Sequence, residues 1–523
     1  MTGPVVLAAL TPATGPTVWV AVAVSVLALG PAGARWLRVA QREHYLADAT
    51  SRFALRWWRS RPVNVVLAVA ALAGLVLAGR WPLSALATAG AVILGPVGLT
   101  VRGRTAPLAS TRRLKTLAAV WLVCQAAVVA VGVGIGAPAP VAAAGAALVP
   151  ALVDLACLVT APLERRLMGR FVATATERLR RVAPTVVGIT GSYGKTSTKN
   201  YVAHLVAGTR TVVATPASFN NRSGLARAVN EHLVEGTEVF VAEMGTYGPG
   251  EIRELCQWCP PAIAVLTAVG PVHLERFGSE DAIARAKSEI AEPASVVVVN
   301  ADDARLERLA LQWSSDPDGP EVVRCSAEQE KADVCVQRKD GSVTVTVGGE
   351  RVAVEVPLRE GLQPTNLACA VAVAVRLGVP PGQAAARLSS IPPVPNRLTA
   401  ERVPSGVYVI DDTFNSNPAG ARAALAVLAA APVDGRRVLV TPGMVELGRR
   451  QATENEAFAA DACAVATAIV VVGRTNRRAL LRGAAARSPV VVDTREQAVA
   501  WVRANLGPAD AVLYENDLPD HYP

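Results

Sequence analysis

Apolar positions run almost unbroken through the first third of the chain and then break into short runs separated by charges of both signs. Five long apolar runs stand out, at residues 18–34, 63–79, 83–101, 114–135 and 141–161. Runs of about 18 or more apolar residues read as membrane-spanning helices, so the pattern predicts five spans, with Pro31 interrupting the first. Arginines cluster in 35–61, 102–115 (Arg102 and Arg104 among them) and 165–181, whereas the links after the second and fourth runs hold only Arg80. Positive loops stay on the cytoplasmic side. The expectation is a multi-pass protein of a bacterial-type cytoplasmic membrane, its N-terminus outside and its remaining domains in the cytoplasm.

From Val186 the rhythm changes. A short apolar strand beginning at Val186 and others at 211–214, 238–243, 262–267 and 295–300 alternate with helical stretches, which predicts a parallel sheet covered on both faces. Ligands of such sheets sit at the carboxyl ends of the strands, and polar residues collect there. The first strand runs into Gly191-Ser192-Tyr193-Gly194-Lys195-Thr196-Ser197, a glycine-rich turn opening a helix. That arrangement aims backbone N–H groups at an anion, with a lysine for the outer phosphates and a hydroxyl for Mg²⁺. It predicts a nucleoside-triphosphate site, although five residues rather than four separate Gly188 from Gly194. Glu243 closes the third strand, His273 follows the fourth, and Lys287 lies on the helical run 282–290.

Composition changes this picture little. The formal charge of +9 comes largely from the arginines of the first 181 residues, with no nucleic-acid-binding motif beside them, so nucleic acid is not an expected partner. Among eight cysteines, Cys256 and Cys259 form a CxxC, but Cys325 and Cys335 are too far apart for a second zinc pair. Cys256 falls in a helical pattern with Ile252 and Leu255 and reads as core.

The segments 188–199, 215–224, 241–252, 268–279 with 284–290, and 411–418 with 444–448 resemble the Mur ligase family, MurF type, in order. The resemblance implies a central P-loop parallel-sheet ATPase domain (183–392) and a smaller Rossmann-like α/β C-terminal domain (393–523), following an α-helical membrane segment (1–165). It implies ATP and Mg²⁺ as cofactors. Lys195 and the amides of Gly191, Ser192, Gly194 and Ser197 would hold the phosphates, with Thr196 on the metal. Glu243 and His273 would be metal ligands, and Lys287 a lysine carbamylated to become one. Asn366 would contact adenine, and Arg397 (after Pro393-Val394-Pro395) and Asp412 phosphate and ribose. Lys195, Lys287, His273, Asn221 and Arg397 are the candidate catalytic side chains. Plainer readings stay open: His273 as a packed or capping histidine, Lys287 as a surface lysine, Glu243 as an arginine's partner, Asn220-Asn221 as a turn, and Arg397 as an interdomain salt bridge.

The chain departs from the family in four places. A membrane segment stands where the UDP-sugar-binding domain belongs, Leu362-Gln363 replaces a His-Asn pair, Pro442-Gly443-Met444 replaces a Gly-Asp-Met turn, and the C-terminal Lys-Gly-Ser-Arg segment is missing. The expected activity is ATP-dependent ligation of a carboxylate to an amine through an acyl phosphate, on a cell-wall peptide precursor or another small-molecule or lipid-linked substrate. A poly-γ-glutamate-type synthase, an ATPase-coupled transporter and an inactive scaffold are the alternatives.

Overall fold

The computed structural model of the chain describes residues 15–101, 108–339, 341–357, 361–394, 397–414, 416–518 and 521–522; Arg102, Arg104 and Pro395 lie outside them. Two compact units emerge, residues 1–167 with 518–523, and residues 168–517.

The first unit is helical, and its helices correct the expectation of five spans. Among the described residues only Pro16–Arg42 and Arg112–Gly134 are single helices long and apolar enough to cross a membrane. The other runs are broken. Ala49–Arg59 and Pro62–Leu77 meet at 113°, Pro138–Ala147 and Val149–Val182 meet at 75°, and Pro82–Leu94 is too short. Prolines account for most of the breaks, because the residue before a proline is pushed out of helical backbone while proline itself suits a first helical turn. Pro62 opens its helix, Pro150 is the second residue of Val149–Val182, and Ala85–Leu94 ends at Gly95, directly before Pro96. Pro31, by contrast, does not end its helix.

Helix packing in this unit centres on Trp36, Phe53, Trp57, Leu117, Trp121 and Val153. Gly33 makes room for Trp121, whose ring lies 2.3 Å from where a Cβ would stand. Asp154 accepts bonds from the Thr50 and Ser51 amides at 3.1 and 2.8 Å, satisfying donors at the start of Ala49–Arg59 that the helix itself cannot pair. Residues 521–522 join the same core: Trp57 Nε1 donates to the His521 carbonyl at 2.7 Å, and the Tyr522 ring lies edge-on to Phe53.

The second unit carries two sheets. The first comprises β1 (Thr185–Thr190), β2 (Val212–Ala214), β3 (Val239–Glu243), β4 (Ile263–Leu266), β5 (Val296–Asn300), β6 (Glu321–Ser326), β7 (Val334–Lys339), β8 (Ser342–Val347) and β9 (Glu350–Pro357). Their order is β2-β3-β1-β4-β5-β6-β7-β8-β9. Pairing is parallel from β2 to β7 and antiparallel onward. Valine-rich strands such as β5 fit a sheet buried on both faces. One face packs on the helices Lys195–Val206 and Pro364–Arg376 through Val202, Leu205, Leu367 and Val371. The other packs on Arg222–His232 and Glu251–Trp258 through Leu225, Val229, Ile252 and Leu255. β1 is followed by strands on both sides of it, so the strand order reverses there, the place where such sheets open a crevice. Register sets Ile189 opposite Glu243 and Thr190 opposite Leu266, so the glycine-rich turn leaves the sheet beside the Glu243 carboxylate.

The second sheet comprises β10 (Thr399–Arg402), β11 (Tyr408–Asp412), β12 (Arg437–Thr441), β13 (Ala468–Val472), β14 (Val490–Val492) and β15 (Ala511–Glu515), ordered β10-β11-β15-β12-β13-β14. Only β10 runs antiparallel to its neighbour. Asp412 sits opposite Glu515 at the carboxyl ends of β11 and β15. The buried Glu515 carboxylate accepts from the Ser416 and Thr441 hydroxyls, joining three strand ends. Burial pushes its pKa up to about 7.

Candidate active site

Two glycines shape the turn after β1. Gly191 has φ +156°, and a Cβ there would lie 1.9 Å from Thr267 Oγ1; Gly194 has φ +84°, and a Cβ would lie 2.6 Å from Asn366 Oδ1. Both positions therefore exclude a side chain, and the Asn366 amide covers the turn. Ser192 is tied to the strand-end loop after β4, its amide donating to the Ala268 carbonyl at 2.7 Å and its hydroxyl to the Gly270 carbonyl at 3.1 Å.

Cations converge on this turn. Lys195 Nζ donates to the Gly191 carbonyl at 2.7 Å, and Lys287 Nζ donates to the same oxygen at 2.9 Å. Lys287 is 4% exposed. Burial, and then the neighbouring Lys195 ammonium, hold its pKa well below the ordinary lysine value. Burial also lowers that of Lys195, with Arg397 adding to it and Glu243 opposing. At the end of β3, Glu243 is 1% exposed. Its Oε2 accepts from Thr196 Oγ1 at 2.9 Å and lies 3.4 Å from Lys199 Nζ, while Oε1 accepts from Asn220 Nδ2 at 2.9 Å. Arg397 Nη2 reaches Thr196 Oγ1 at 3.4 Å, and its guanidinium stacks on Phe414 at 4.1 Å.

A cavity of about 590 Å³ opens beside the turn, lined by Gly194, Ser197, Asn366, Arg397 and Asp412 together with Asn300 and Gln363. Asp412 receives the Leu398 amide at 3.1 Å, and burial raises its pKa to about 6. His273, in left-handed backbone at φ +61°, pairs through Nδ1 with Glu446.

The structure thus gathers Lys195, Thr196, Glu243, Lys287 and Arg397 around the turn and sets Asn366, Asp412 and Ser197 on the cavity. It corrects the expectation for Asn221. That side chain caps the helix Arg222–His232, accepting from the Gly224 amide at 2.9 Å, and its neighbour Asn220 is the one that reaches Glu243. Lys199 and Glu446 were not singled out in the sequence. Lys199 lies one helical turn beyond Lys195, and Glu446 belongs to the segment 444–448, which matched the family without an assigned role. Cys256 and Cys259 are buried and unpaired, and the described residues contain no group of three or more His, Cys, Asp or Glu able to hold a metal ion.

Residues 189–374 match the Mur ligase middle domain, and residues 396–514 match the Mur ligase glutamate ligase domain. The UDP-N-acetylmuramoyl-tripeptide–D-alanyl-D-alanine ligase of Mycobacterium bovis is 34% identical over 401 residues, which cover 71% of this chain and 74% of that one. The chain belongs to the Mur ligase family. Its Bacillus subtilis relative of the same name is 31% identical over 53% of this chain and 59% of that one. Among solved structures, MurF ligase from Thermotoga maritima in complex with ADP aligns with a TM-score of 0.57 at 26% identity, covering 67% of this chain and 80% of that one.

As a Mur ligase the chain is an ATP-dependent enzyme forming carbon–nitrogen bonds, and its cofactors are ATP and Mg²⁺. The Mycobacterium and Bacillus relatives are named for a UDP-linked tripeptide rather than a lipid-linked one. With the broken helices, this overturns the multi-pass placement in a cytoplasmic membrane and leaves the lipid-linked substrate argued from it without support.

Proposed function

We propose that this Mur ligase joins D-alanyl-D-alanine to the peptide carboxylate of a UDP-muramoyl tripeptide, the reaction for which its curated relatives are named. The observation that carries the site reading is an imbalance of charge. Lys195, Lys199 and Arg397 act on the buried Glu243 carboxylate, Arg397 also on Asp412, and Lys287 adds a fourth cation beside Lys195. Such an excess of cations suits a polyphosphate. Gly191 and Gly194, unable to carry a side chain, leave the backbone open to it.

The donor set fits Mg²⁺ as well. This ion is held by one or two carboxylates plus substrate phosphates rather than by an all-protein cage, and Glu243 with the Thr196 hydroxyl supplies oxygen ligands of that kind. Mg²⁺ offsets phosphate charge when bound. The chain's own residues do the rest: Lys195 holds the outer phosphates, Asn366 and Asp412 take the nucleoside side of the cavity, and Arg397 joins the C-terminal sheet's residues to Thr196. His273 and a carbamylated Lys287 complete the ligand set in this reading. The division at 392/393 assigns the first sheet to nucleotide binding and the second to closing over it.

Gly194→Ala should weaken nucleotide binding about tenfold, since a Cβ there would stand 2.6 Å from Asn366 Oδ1 and must displace either the turn or the asparagine on the cavity. Isothermal titration with ADP measures this, and unchanged affinity would count against the phosphate-binding turn. The function itself is tested by phosphate release from ATP with the purified chain. Release should need both the UDP-muramoyl tripeptide and D-alanyl-D-alanine; release with neither, or none with both, would reject the reading.

A further inference from the structure

We propose that Glu446 is a positioning residue for His273, fixing its ring so that Nε2 is the nitrogen left with a free lone pair. The inference rests on the reading of His273 as part of the site.

The two residues come from different sheets. His273 starts the short helix Leu274–Phe277 after β4, whereas Glu446 lies in the turn after β12. Both occupy left-handed backbone, His273 at φ +61° and Glu446 at φ +65°. Non-glycine residues enter that region rarely, and such outliers cluster where surrounding structure imposes them for function. Two of them meeting side chain to side chain is a stronger sign than either alone. His273 Nδ1 and the Glu446 carboxylate are hydrogen-bonded, and an ionised carboxylate can only accept, which places the proton on Nδ1. A carboxylate on one imidazole nitrogen sets the tautomer and makes the other nitrogen the better donor of an electron pair.

The surroundings hold this pair in one geometry. The buried amides of Asn455 and Asn476 grip Met444 two residues before Glu446. The Met444 amide donates to Asn455 Oδ1 at 2.7 Å, and its carbonyl accepts from Asn455 and Asn476 at 2.9 Å each. Gly448 (φ +57°) lets the turn press on the helix start, where a Cβ would come within 3.3 Å of the Glu275 amide. The Tyr247 ring packs against His273 edge-on, centroids 4.7 Å apart. Arg450 makes a second link between the same two segments, 2.8 Å to Glu280, without touching the histidine. The carboxylate that orients His273 is therefore supplied by the second sheet's turn, and the histidine is set only while that turn is docked.

The test compares Glu446→Ala, Glu446→Gln and Arg450→Gln in the full chain. Histidine-selective ¹⁵N labelling of the metal-free protein gives five ring systems, and His273→Ala assigns the one concerned. The wild type and Glu446→Gln, which keeps an acceptor, should show His273 protonated at Nδ1; Glu446→Ala should lose that signature. Turnover of Glu446→Ala should fall about 10–100-fold, in the range for lost outer-shell partners. The nucleotide KM should stay within about twofold, and Arg450→Gln should change neither constant beyond about that margin. An unchanged His273 spectrum with wild-type turnover in Glu446→Ala overturns the proposal, as does an equal loss in Arg450→Gln. Should Glu446→Ala fail to fold, a Glu446→Gln spectrum lacking Nδ1 protonation overturns it and a retained one supports it. An inactive His273→Ala beside a fully active Glu446→Ala defeats this inference alone. A fully active His273→Ala defeats the reading of the site beneath it.

Discussion

Lys195→Ala should abolish turnover, by about 10³-fold or more, while leaving the melting temperature within a few degrees of wild type. Removing a single preorganised charge donor from a transition-state site costs about 10²–10³ in rate, and Lys195 also holds the bound phosphates in this account. The fold should tolerate the change. Lys195 is half-buried, and among the described residues its ammonium bonds to the Gly191 and Ser192 carbonyls, so little core volume is lost. Single-turnover measurement of ADP formation checks this. Retained ATP-dependent ligation would mean that the turn at 191–197 is not the phosphate site.

Lys287→Ala should be nearly inactive too, but for another reason and with a different remedy. Its low pKa, caused by burial and then by Lys195, raises the fraction of neutral amine at neutral pH. The neutral amine is the form that attacks CO₂. The new N–C bond gives a carbamate and releases a proton, turning a cation into an oxygen ligand of the kind Mg²⁺ takes. A small carboxylate such as acetate should therefore restore part of the activity of Lys287→Ala and none of that of Lys195→Ala. Wild-type activity undiminished in bicarbonate-free buffer, with an unmodified lysine by mass spectrometry, would reject the carbamate.

The same depression predicts a stability effect. A lysine whose folded pKa lies below its unfolded value, 10.5, disfavours folding most fully below the folded pKa, and the cost fades as pH rises toward 10.5. For protein kept free of CO₂, Lys287→Met should melt higher than wild type near neutral pH, and the gap should narrow as pH rises toward 10. A variant less stable than wild type at neutral pH would show that the ammonium is held by more than the Gly191 carbonyl.

Much of the nucleotide-binding part was legible because local pattern and tertiary environment agree there. Runs at 211–214, 238–243, 262–267 and 295–300 became β2, β3, β4 and β5 within two residues at each end, since each is a short apolar stretch bounded by polar residues. Lys195, Thr196 and Glu243 were legible for the same reason: strand ends deliver them to one crevice. Cys256 was also read correctly as buried helix core. The apolar runs of the first unit misled, because hydropathy counts residues and not the prolines that end helices. Pro62 and Pro96 lie at such breaks, and Pro150 follows the one at Leu148.

Side-chain direction was harder to read than strand position. One residue of shift separates Asn220, on Glu243, from Asn221, capping the next helix, and adjacent identical residues carry no signal of which points inward. The pairing of His273 with Glu446 joins two turns 173 positions apart and depends on left-handed backbone at two residues outside the glycines. No periodicity marks such a contact.

In the proposed reaction the carboxylate is phosphorylated before the amine attacks it. Oxygen transfer from carboxylate to phosphate reads this step out. With ¹⁸O in both oxygens of the peptide carboxylate, ATP, Mg²⁺ and D-alanyl-D-alanine, the expected result is one ¹⁸O per phosphate released, one ADP per amide formed, and one ¹⁸O kept in the new amide. Phosphate free of ¹⁸O, with ATP consumed and the carboxylate returned intact, would mean that ATP is hydrolysed by water and that the ligase mechanism is wrong for this chain.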